Sequence, residues 1–541
     1  MKRIRHLLVT TAVLLGGTTA VHAATFNVAN TDVAGLIAAI QQANVTPGLD
    51  TIILAANGNY TLTQVHNIFP ADGQGANGLA PVRDDLRIIG NGSVVQRHPG
   101  APVFRFFYVD QGSALELHNL TLHNGRTSEP SPNSSNGGAI LAEGNLILSG
   151  CVFSSNVSTH GSGGAISTAG DLKVDASRFL KNSCDDAGGA IFRSGQRKAA
   201  ISGSTFEDNS ARLGGAIRWG GGASTISRST FVANEAVSGG AVNTVAETLV
   251  ISNSTFSSNV ADGDQPSQNG LGGGVFGNLG SISIVHSTFI GNAAHAEGSV
   301  LGEGGNIYIS FATLHLSNSL LAFSSAGGDC VLNVSSMPTN VNNLIRDGSC
   351  QPTFSGDPEV AALDNYGGPT ETHALLVGSP ARDAAATSSC TKTDQRGVTR
   401  PVGPACDIGA FEGVLPVRHR LSAITKPPLF IQPCDPLRDT LPGTITVIVL
   451  GDNRVDATAL LPDSVTVGNA RPGSALRSSI QDVDGDRDMD LMLEFAATDV
   501  YRGLSCQSTT SLAVDGLLTN GERFSGLLVV TPGIRRDAGQ K

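Results

Sequence analysis

The sequence predicts an all-β protein: a right-handed parallel β-helix with an N-terminal capping helix and a small C-terminal β-sandwich. Three observations predict it. Phenylalanine is followed three residues later by asparagine at Phe153/Asn156, Phe179/Asn182, Phe206/Asn209, Phe231/Asn234, Phe256/Asn259 and Phe289/Asn292, and these phenylalanines lie 26, 27, 25, 25 and 33 residues apart. After each comes a glycine pair, usually with a small apolar step, as in Gly163-Gly164-Ala165-Ile166 and Gly214-Gly215-Ala216-Ile217, and more loosely in Gly272-Gly273-Gly274-Val275 and Gly304-Gly305-Asn306-Ile307. Short alternating stretches such as Leu146-Ile147-Leu148, Leu172-Lys173-Val174 and Leu249-Val250-Ile251 fill the interval before the next phenylalanine. Their period is two, not 3.6, so they read as strands. Units of this length cannot bury an apolar face alone and must stack on their neighbours.

Each recurring residue type suits a position in such a coil. A phenylalanine once per coil would stack into an aromatic ladder inside the cylinder. Asparagine tolerates the left-handed backbone region, and its amide can bond the same group one rung away. Paired glycines permit a corner where a Cβ would clash. Two residues before each phenylalanine stands a small residue: Cys151, Ser177, Ser204, Ser229, Ser254 and Ser287. These two motifs resemble the repeats of the polymorphic outer membrane protein family over roughly residues 115 to 325. The resemblance implies a pectin-lyase-like solenoid displayed at a bacterial surface, with a role in adhesion.

In chain order, residues 1–23 read as a secretory signal: Lys2, Arg3 and Arg5, an apolar stretch from Leu7 to Leu15, then Val21-His22-Ala23. Residues 24–360 form the β-helix with its cap. The cap is predicted from Val33, Leu36, Ile37, Ile40 and Ala43 at helical spacing, with Thr31 or Asp32 as N-cap and Pro47-Gly48 as a stop. A helix there would plug the open end, where an uncovered rung exposes strand edges. The segment Leu36 to Leu62 resembles the N-terminal region of proteins named for a Cys-Ser-Leu-Arg-Glu-Ala signature, although this chain reads Ala34-Gly35-Leu36-Ile37-Ala38-Ala39 in its place.

Residues 361–414 carry Asn365-Tyr366-Gly367-Gly368-Pro369-Thr370, Gly378-Ser379-Pro380, Asp394-Gln395-Arg396-Gly397 and Cys406-Asp407-Ile408-Gly409-Ala410-Phe411-Glu412. They closely resemble the choice-of-anchor Q domain, which follows β-helical repeats in exported bacterial proteins, and are expected to close the solenoid. Asp383, Asp394, Arg396, Arg400, Asp407 and Glu412 could be a glycosidase carboxylate pair with its surroundings, or a buried ion-pair network locking the last coil. The second reading is preferred.

From residue 415 to 541 the repeats stop. Strand-like runs Thr444 to Leu450 and Leu491 to Phe495 predict the sandwich, and Pro433-Cys434-Asp435-Pro436 with its following strands resembles an accessory β-domain of secreted bacterial proteins. Asp482, Asp484, Asp486, Asp488 and Asp490 alternate in one short run. Like charges this close call for a cation, and hard oxygens on a glycine-containing loop suit calcium. Side-chain ligation by Asp482, Asp484, Asp486 and Asp490 is expected, with Asp488 contributing its backbone oxygen. The spacing resembles the calcium loops of integrin-type propellers and dockerins, and a structural calcium is the cofactor implied. A solvated acidic hairpin is the alternative.

Composition supports an exported strand-and-turn protein, with 66 glycines in 541 residues, 15% charged residues and 5% aromatics. Without residues 1–23 the balance is 32 basic against 46 acidic residues, a formal charge of −14, which argues against nucleic acid as a partner. No later stretch is long and apolar enough to span a membrane. Eight cysteines in such a chain favour disulfides, expected as Cys330–Cys350, Cys390–Cys406 and Cys434–Cys506, with Cys151 and Cys184 left open.

For function, the favoured expectation is a non-catalytic, monomeric surface or secreted protein that binds a glycan or protein, or serves as a scaffold. The longer spacers Val260 to Leu271 and Ala293 to Glu303 are its candidate contact loops. The alternative is a polysaccharide lyase or hydrolase using Arg193, Lys198, Arg218 and Arg228 as a basic groove, against which stand one tryptophan, Trp219, and five tyrosines.

Overall fold

Each repeat folds into one coil because only every second residue of its short strands can be buried, and a neighbouring coil must cover the rest of the edge. In the coil containing Phe153, strands Asn145–Ser149, Val152–Ser154, Val157–Ser158 and Ile166–Thr168 follow one another around the cylinder. The computed structural model describes residues 23–69, 75–128, 135–263, 269–295, 302–376, 378–415, 419–426, 430–431, 444–449, 461–467, 475–481, 490–496, 511–517, 523–529 and 531–532. Successive coils pair in parallel and in register, building a 21-stranded sheet, a nine-stranded sheet and short three-stranded ladders between them. The result is a right-handed parallel β-helix.

The core is a set of ladders. Phe153, Phe179, Phe206, Phe231, Phe256 and Phe289 are fully buried, with successive ring centroids 4.5–4.8 Å apart and planes within 5°. Leu122 holds the same register position before them, and Leu321 and Ile345 after them. The repeat also starts one corner earlier than the phenylalanines, at Gly137-Gly138-Ala139-Ile140, whose Ile140 pairs with Ile166.

Behind the phenylalanines runs the asparagine ladder. From Asn156 through Asn259, each Nδ2 donates to Oδ1 of the asparagine one coil on, at 2.8–3.0 Å, the last of these bonds running from Asn259 to Asn292. Each of Asn182, Asn209, Asn234, Asn259 and Asn292 also donates to a phenylalanine carbonyl of the coil before, at 2.9–3.0 Å. One expectation is corrected here. The left-handed backbone anticipated at Asn156, Asn182, Asn209, Asn234, Asn259 and Asn292 lies one residue earlier, at Ser155, Lys181, Asp208, Ala233, Ser258 and Gly291. The asparagine needs its side chain directed inward, so the residue before it takes the turn.

A second corner is built the same way. The hydroxyls of Ser177, Ser204, Ser229, Ser254 and Ser287 each accept a backbone N–H from the preceding coil and donate to a carbonyl two residues back. Cys151 takes this position in its own coil, its Sγ 3.2 Å from the Leu117 carbonyl. At the glycine pairs the second member is required by proximity: a Cβ on Gly215 would lie 2.2 Å from the Gly240 carbonyl oxygen.

The N-terminal helix, Val33–Ala43, starts at Asp32, whose carboxylate accepts the Gly35 N–H at 2.7 Å. Leu36, Ala39, Ile40 and Ala43 are buried and join the core formed by Ile52, Leu54 and Leu79 of the first coils. At the far end, Cys330 and Cys350 are bridged, as are Cys390 and Cys406, with Cα–Cα separations of 5.8 and 6.3 Å. Cys151 and Cys184 are buried thiols. Cys434 and Cys506 lie outside the described residues.

Residues 370–412 do not stack as a further coil. They run back along the flank of the cylinder, over the outward face of the phenylalanine strands. Gln395 lies between Thr230 and Thr255, at 3.0 and 2.7 Å, His373 Nε2 is 3.1 Å from the Ser257 hydroxyl, and the Ala410 N–H donates to Thr288 at 2.9 Å. The outward residues of four successive coils are threonines, Thr205, Thr230, Thr255 and Thr288, and this polar segment bonds to the last three.

Beyond residue 415 the described strands form a seven-stranded mixed sheet, from Thr466–Val467 at one edge to Ala475–Gln481 at the other, and a separate two-stranded ladder. Two facing sheets of comparable size, which a sandwich would have, are not seen among the described residues.

Candidate functional site

The nine-stranded sheet is a large face that the flank segment, which lies over the phenylalanine strands, leaves bare. Its strands are short, and in each the inward residue is apolar: Ile140, Ile166, Ile191, Ile217, Val242, Val275 and Ile307 are all fully buried. Alternation then directs the next residue outward. In register these are Tyr108, Leu141, Ser167, Phe192, Arg218, Asn243, Phe276, Tyr308 and Val331. Eight steps of ~4.8 Å make a row about 38 Å long.

The row is unusual for an outer surface. Tyr108, Ser167, Asn243 and Tyr308 are 2–5% exposed, and Leu141, Phe192, Arg218, Phe276 and Val331 are half-buried. The Phe276 and Tyr308 rings stack at 5.7 Å. Arg218 Nη1 donates to Asn243 Oδ1 at 2.5 Å, fixing the guanidinium at mid-row. On the rim, Asp186 accepts from Arg212 at 2.9 Å and from Ser162 Oγ at 3.0 Å. Burial draws the Arg218 guanidinium below its ordinary range; Asp186 opposes this and Arg212 adds to it. Both end tyrosines meet acids: burial, then Glu143 and Asp110, push the Tyr108 phenol up, while burial, opposed by its bond from Asn333 and reinforced by Glu303, raises that of Tyr308. The face thus offers aromatic platforms separated by amide, hydroxyl and guanidinium donors.

The four basic residues expected to share a groove do not converge. Arg218 is on this face, but Arg193 is fully buried inside the cylinder, Lys198 is exposed beyond the end of its strand, and Arg228 is exposed at the serine corner. Strand alternation separates Arg193 from Arg218. The two longer spacers begin with Val260–Asp262 and Ala293–His295, paired with each other, and return at Leu271 and Glu303, which bridge at the corner leading into the nine-stranded sheet. They therefore border one edge of the row, and their central residues lie outside the described residues.

The constellation on the flank segment is largely buried, and its acids are paired within the segment, with only the Arg400 Nε left unpartnered. Arg400 Nη1 lies 2.5 Å from Glu412 Oε2 and donates to the Asp407 carbonyl, while its Nη2 donates to the Gly409 carbonyl. Arg396 pairs with Asp394 at 2.6 Å and lies 3.5 Å over the Phe411 ring. Asp394, Asp407 and Glu412 also accept backbone N–H groups of Val398, Gly413 and Val402, and Asp383 accepts that of Ala405. Burial pushes the Asp407 carboxyl up to about 6, against the N–H of Asp383 that it accepts. With their oxygens committed to the segment's own donors, these acids form a fastening and not a cleft.

Of the acidic run only Asp490 falls within the described residues. It begins strand Asp490–Ala496 and pairs with Gln481 at the end of the neighbouring antiparallel strand, while Asp482, Asp484, Asp486 and Asp488 lie outside the described residues. Among the described residues no cluster of His, Cys, Asp and Glu is placed to hold a metal ion, and no helix is long and apolar enough to cross a membrane.

The outward row other than Arg218 escaped the sequence reading. Its signal was available: the residue after each Ile or Val of the glycine-pair motif, as in Ile191-Phe192 and Ile307-Tyr308. The chain matches no protein-family model, no curated protein and no solved structure.

Proposed function

We propose that the chain is an exported, non-catalytic β-helical protein that binds an extended glycan along the outer face of the nine-stranded sheet. The observation that carries this is the row from Tyr108 to Tyr308, in which half-buried Leu141, Phe192 and Phe276 are interspersed with buried Tyr108, Ser167, Asn243 and Tyr308 and with Arg218 fixed by Asn243. Sugars present both apolar ring faces and hydroxyls, and this mixture suits both. The resemblance to surface-displayed repeat proteins, the N-terminal signal and the two disulfides favour a secreted or surface-held monomer. Residues 361–414 serve as a choice-of-anchor Q-like fastening, and residues 415–541 as an accessory β-domain whose loop from Asp482 to Asp490 takes a structural calcium. A rise in melting temperature of the full chain in millimolar calcium, lost in Asp484→Asn, is expected; no response would remove the calcium.

The second reading is a lyase or hydrolase, favoured by Arg218, a cation half-buried at mid-row and fixed by Asn243. The discriminating experiment is a glycan-array screen followed by assay of the bound glycans for reducing ends and unsaturated products. Binding without turnover is expected; turnover abolished in Arg218→Ala would establish the enzyme instead.

A further inference from the structure

Inside the cylinder the asparagine and serine corners are polar but hydrogen-bonded throughout, and one further corner is polar without being so. The inward residues ending successive strands of the nine-stranded sheet are Ala142, Thr168, Arg193, Trp219, Thr244 and Gly277. Across the corner, the inward row of the next sheet reads Leu146, Leu172, Ala199, Ser224, Leu249 and Ile282. The two largest side chains of the first row thus sit on the same two coils as the two smallest of the second. Ala199 and Ser224 leave the room that Arg193 and Trp219 occupy.

Four polar atoms of this corner lack partners. Arg193 and Trp219 are 0% exposed and Ser224 1%. Arg193 Nη1 donates to the Gly221 carbonyl at 2.5 Å, two residues beyond Trp219 and three before Ser224. Its Nε and Nη2, the Trp219 Nε1 and the Ser224 Oγ find no hydrogen-bond partner in the protein. Guanidinium and indole nitrogens only donate. A buried guanidinium with unmet donors and no carboxylate is strongly destabilising.

Other buried arginines are treated differently. Arg105, equally buried, is held by the carbonyls of Asn136 and Gly137 at 3.2 Å and by Asn77 Oδ1 at 3.4 Å. Arg400 has Glu412. The acid whose field reaches Arg193 is Asp171, and that carboxylate accepts the Lys198 N–H on the exposed side of the turn.

We infer that this corner binds a small monovalent anion, chloride in ordinary salt, held by Arg193 Nε and Nη2, Trp219 Nε1 and the Ser224 hydroxyl. An anion accepts from every one of these donors and supplies the missing countercharge. A water molecule accepts from two, then brings two hydrogens of its own that need acceptors.

Trp219 is the sole tryptophan of the chain, so its emission reports on this corner alone. The full chain is unfolded and refolded at constant ionic strength in chloride, bromide or gluconate, the last too large to enter. Refolding in bromide is expected to shorten the Trp219 fluorescence lifetime relative to gluconate. Bulk bromide added after folding in gluconate should have little immediate effect on so buried a ring. The melting temperature should be about 2–5 °C higher in chloride than in gluconate, saturating with concentration. In Arg193→Met both responses should vanish. Should that variant fail to fold, the wild-type lifetime decides by itself: equal lifetimes and equal melting in all three salts would overturn the inference and leave water in the corner.

Discussion

At Asn209 a single side chain closes four hydrogen bonds. Its Oδ1 accepts the N–H and Nδ2 of Asn182, and its Nδ2 donates to the Phe179 carbonyl and to Asn234 Oδ1. Asn209→Ala leaves those groups buried and unpaired, for an expected loss of about 2–5 kcal/mol in urea denaturation. Phe206→Leu should cost less, about 1–2 kcal/mol, since Leu122 and Leu321 occupy the same position in other coils. The reverse ranking would mean that the aromatic stack, not the amide ladder, dominates the coil. Burial pushes the thiols of Cys151 and Cys184 up to about 11 and about 12, so neither should react with a thiol reagent before the chain unfolds; rapid labelling of the native chain would contradict their placement. The phenylalanine and asparagine rows were legible because spacing alone determines which residues meet. The backbone twist was not: Asn156 and Ser155, like Asn259 and Ser258, are both compatible with a turn, and only the demand for an inward amide decides between them.

Among the elements, the flank segment makes a pH-dependent joint. His373 donates from Nδ1 to the Ala361 carbonyl at 2.8 Å, so its Nε2 accepts from Ser257. Burial lowers its pKa from 6.5 to about 4. The unfolded ring takes a proton near pH 6.5 and the native ring near 4, so its stabilisation is whole above 6.5 and is lost as the pH falls between those values, by roughly 1.4 kcal/mol per pH unit. His286, lowered to about 3 by burial and then by Arg400, acts in the same direction. Asp407, raised to about 6 by burial, opposes them between pH 6 and 3.8. These three leave a net loss of about one proton's worth between pH 6 and 4. His373→Gln should flatten the slope of stability against pH by one proton between 6.5 and 4; an unchanged slope would show that the joint does not hold this ring neutral. The charged residues of this segment were visible in the sequence, and so was their preference for one another. Their location was not, because a short polar segment after the last coil carries no periodicity to say on which side of the cylinder it folds back.

For the whole molecule, repetition made the architecture readable and concealed the site. Every coil spends its recurring positions on stacking, so the residues that vary between coils and stay partly exposed, Phe192, Arg218 and Phe276, are the ones the proposed glycan would meet. Listing basic residues by proximity in sequence mixed inside with outside, since Arg193 and Arg218 project from opposite faces of one sheet. The cylinder, closed by the helix at one end and bridged by disulfides toward the other, presents the row as a rigid ruler, which lowers the ordering cost of binding a long chain. The most direct measurement is the affinity of the full chain for a glycan selected on the array, compared between Phe192→Ala/Phe276→Ala and the off-face control Lys198→Ala/Arg228→Ala. A weakening of about tenfold or more is expected for the first pair and none for the second. Equal affinity across all three proteins, or a loss confined to the control, would contradict the assignment of binding to this face.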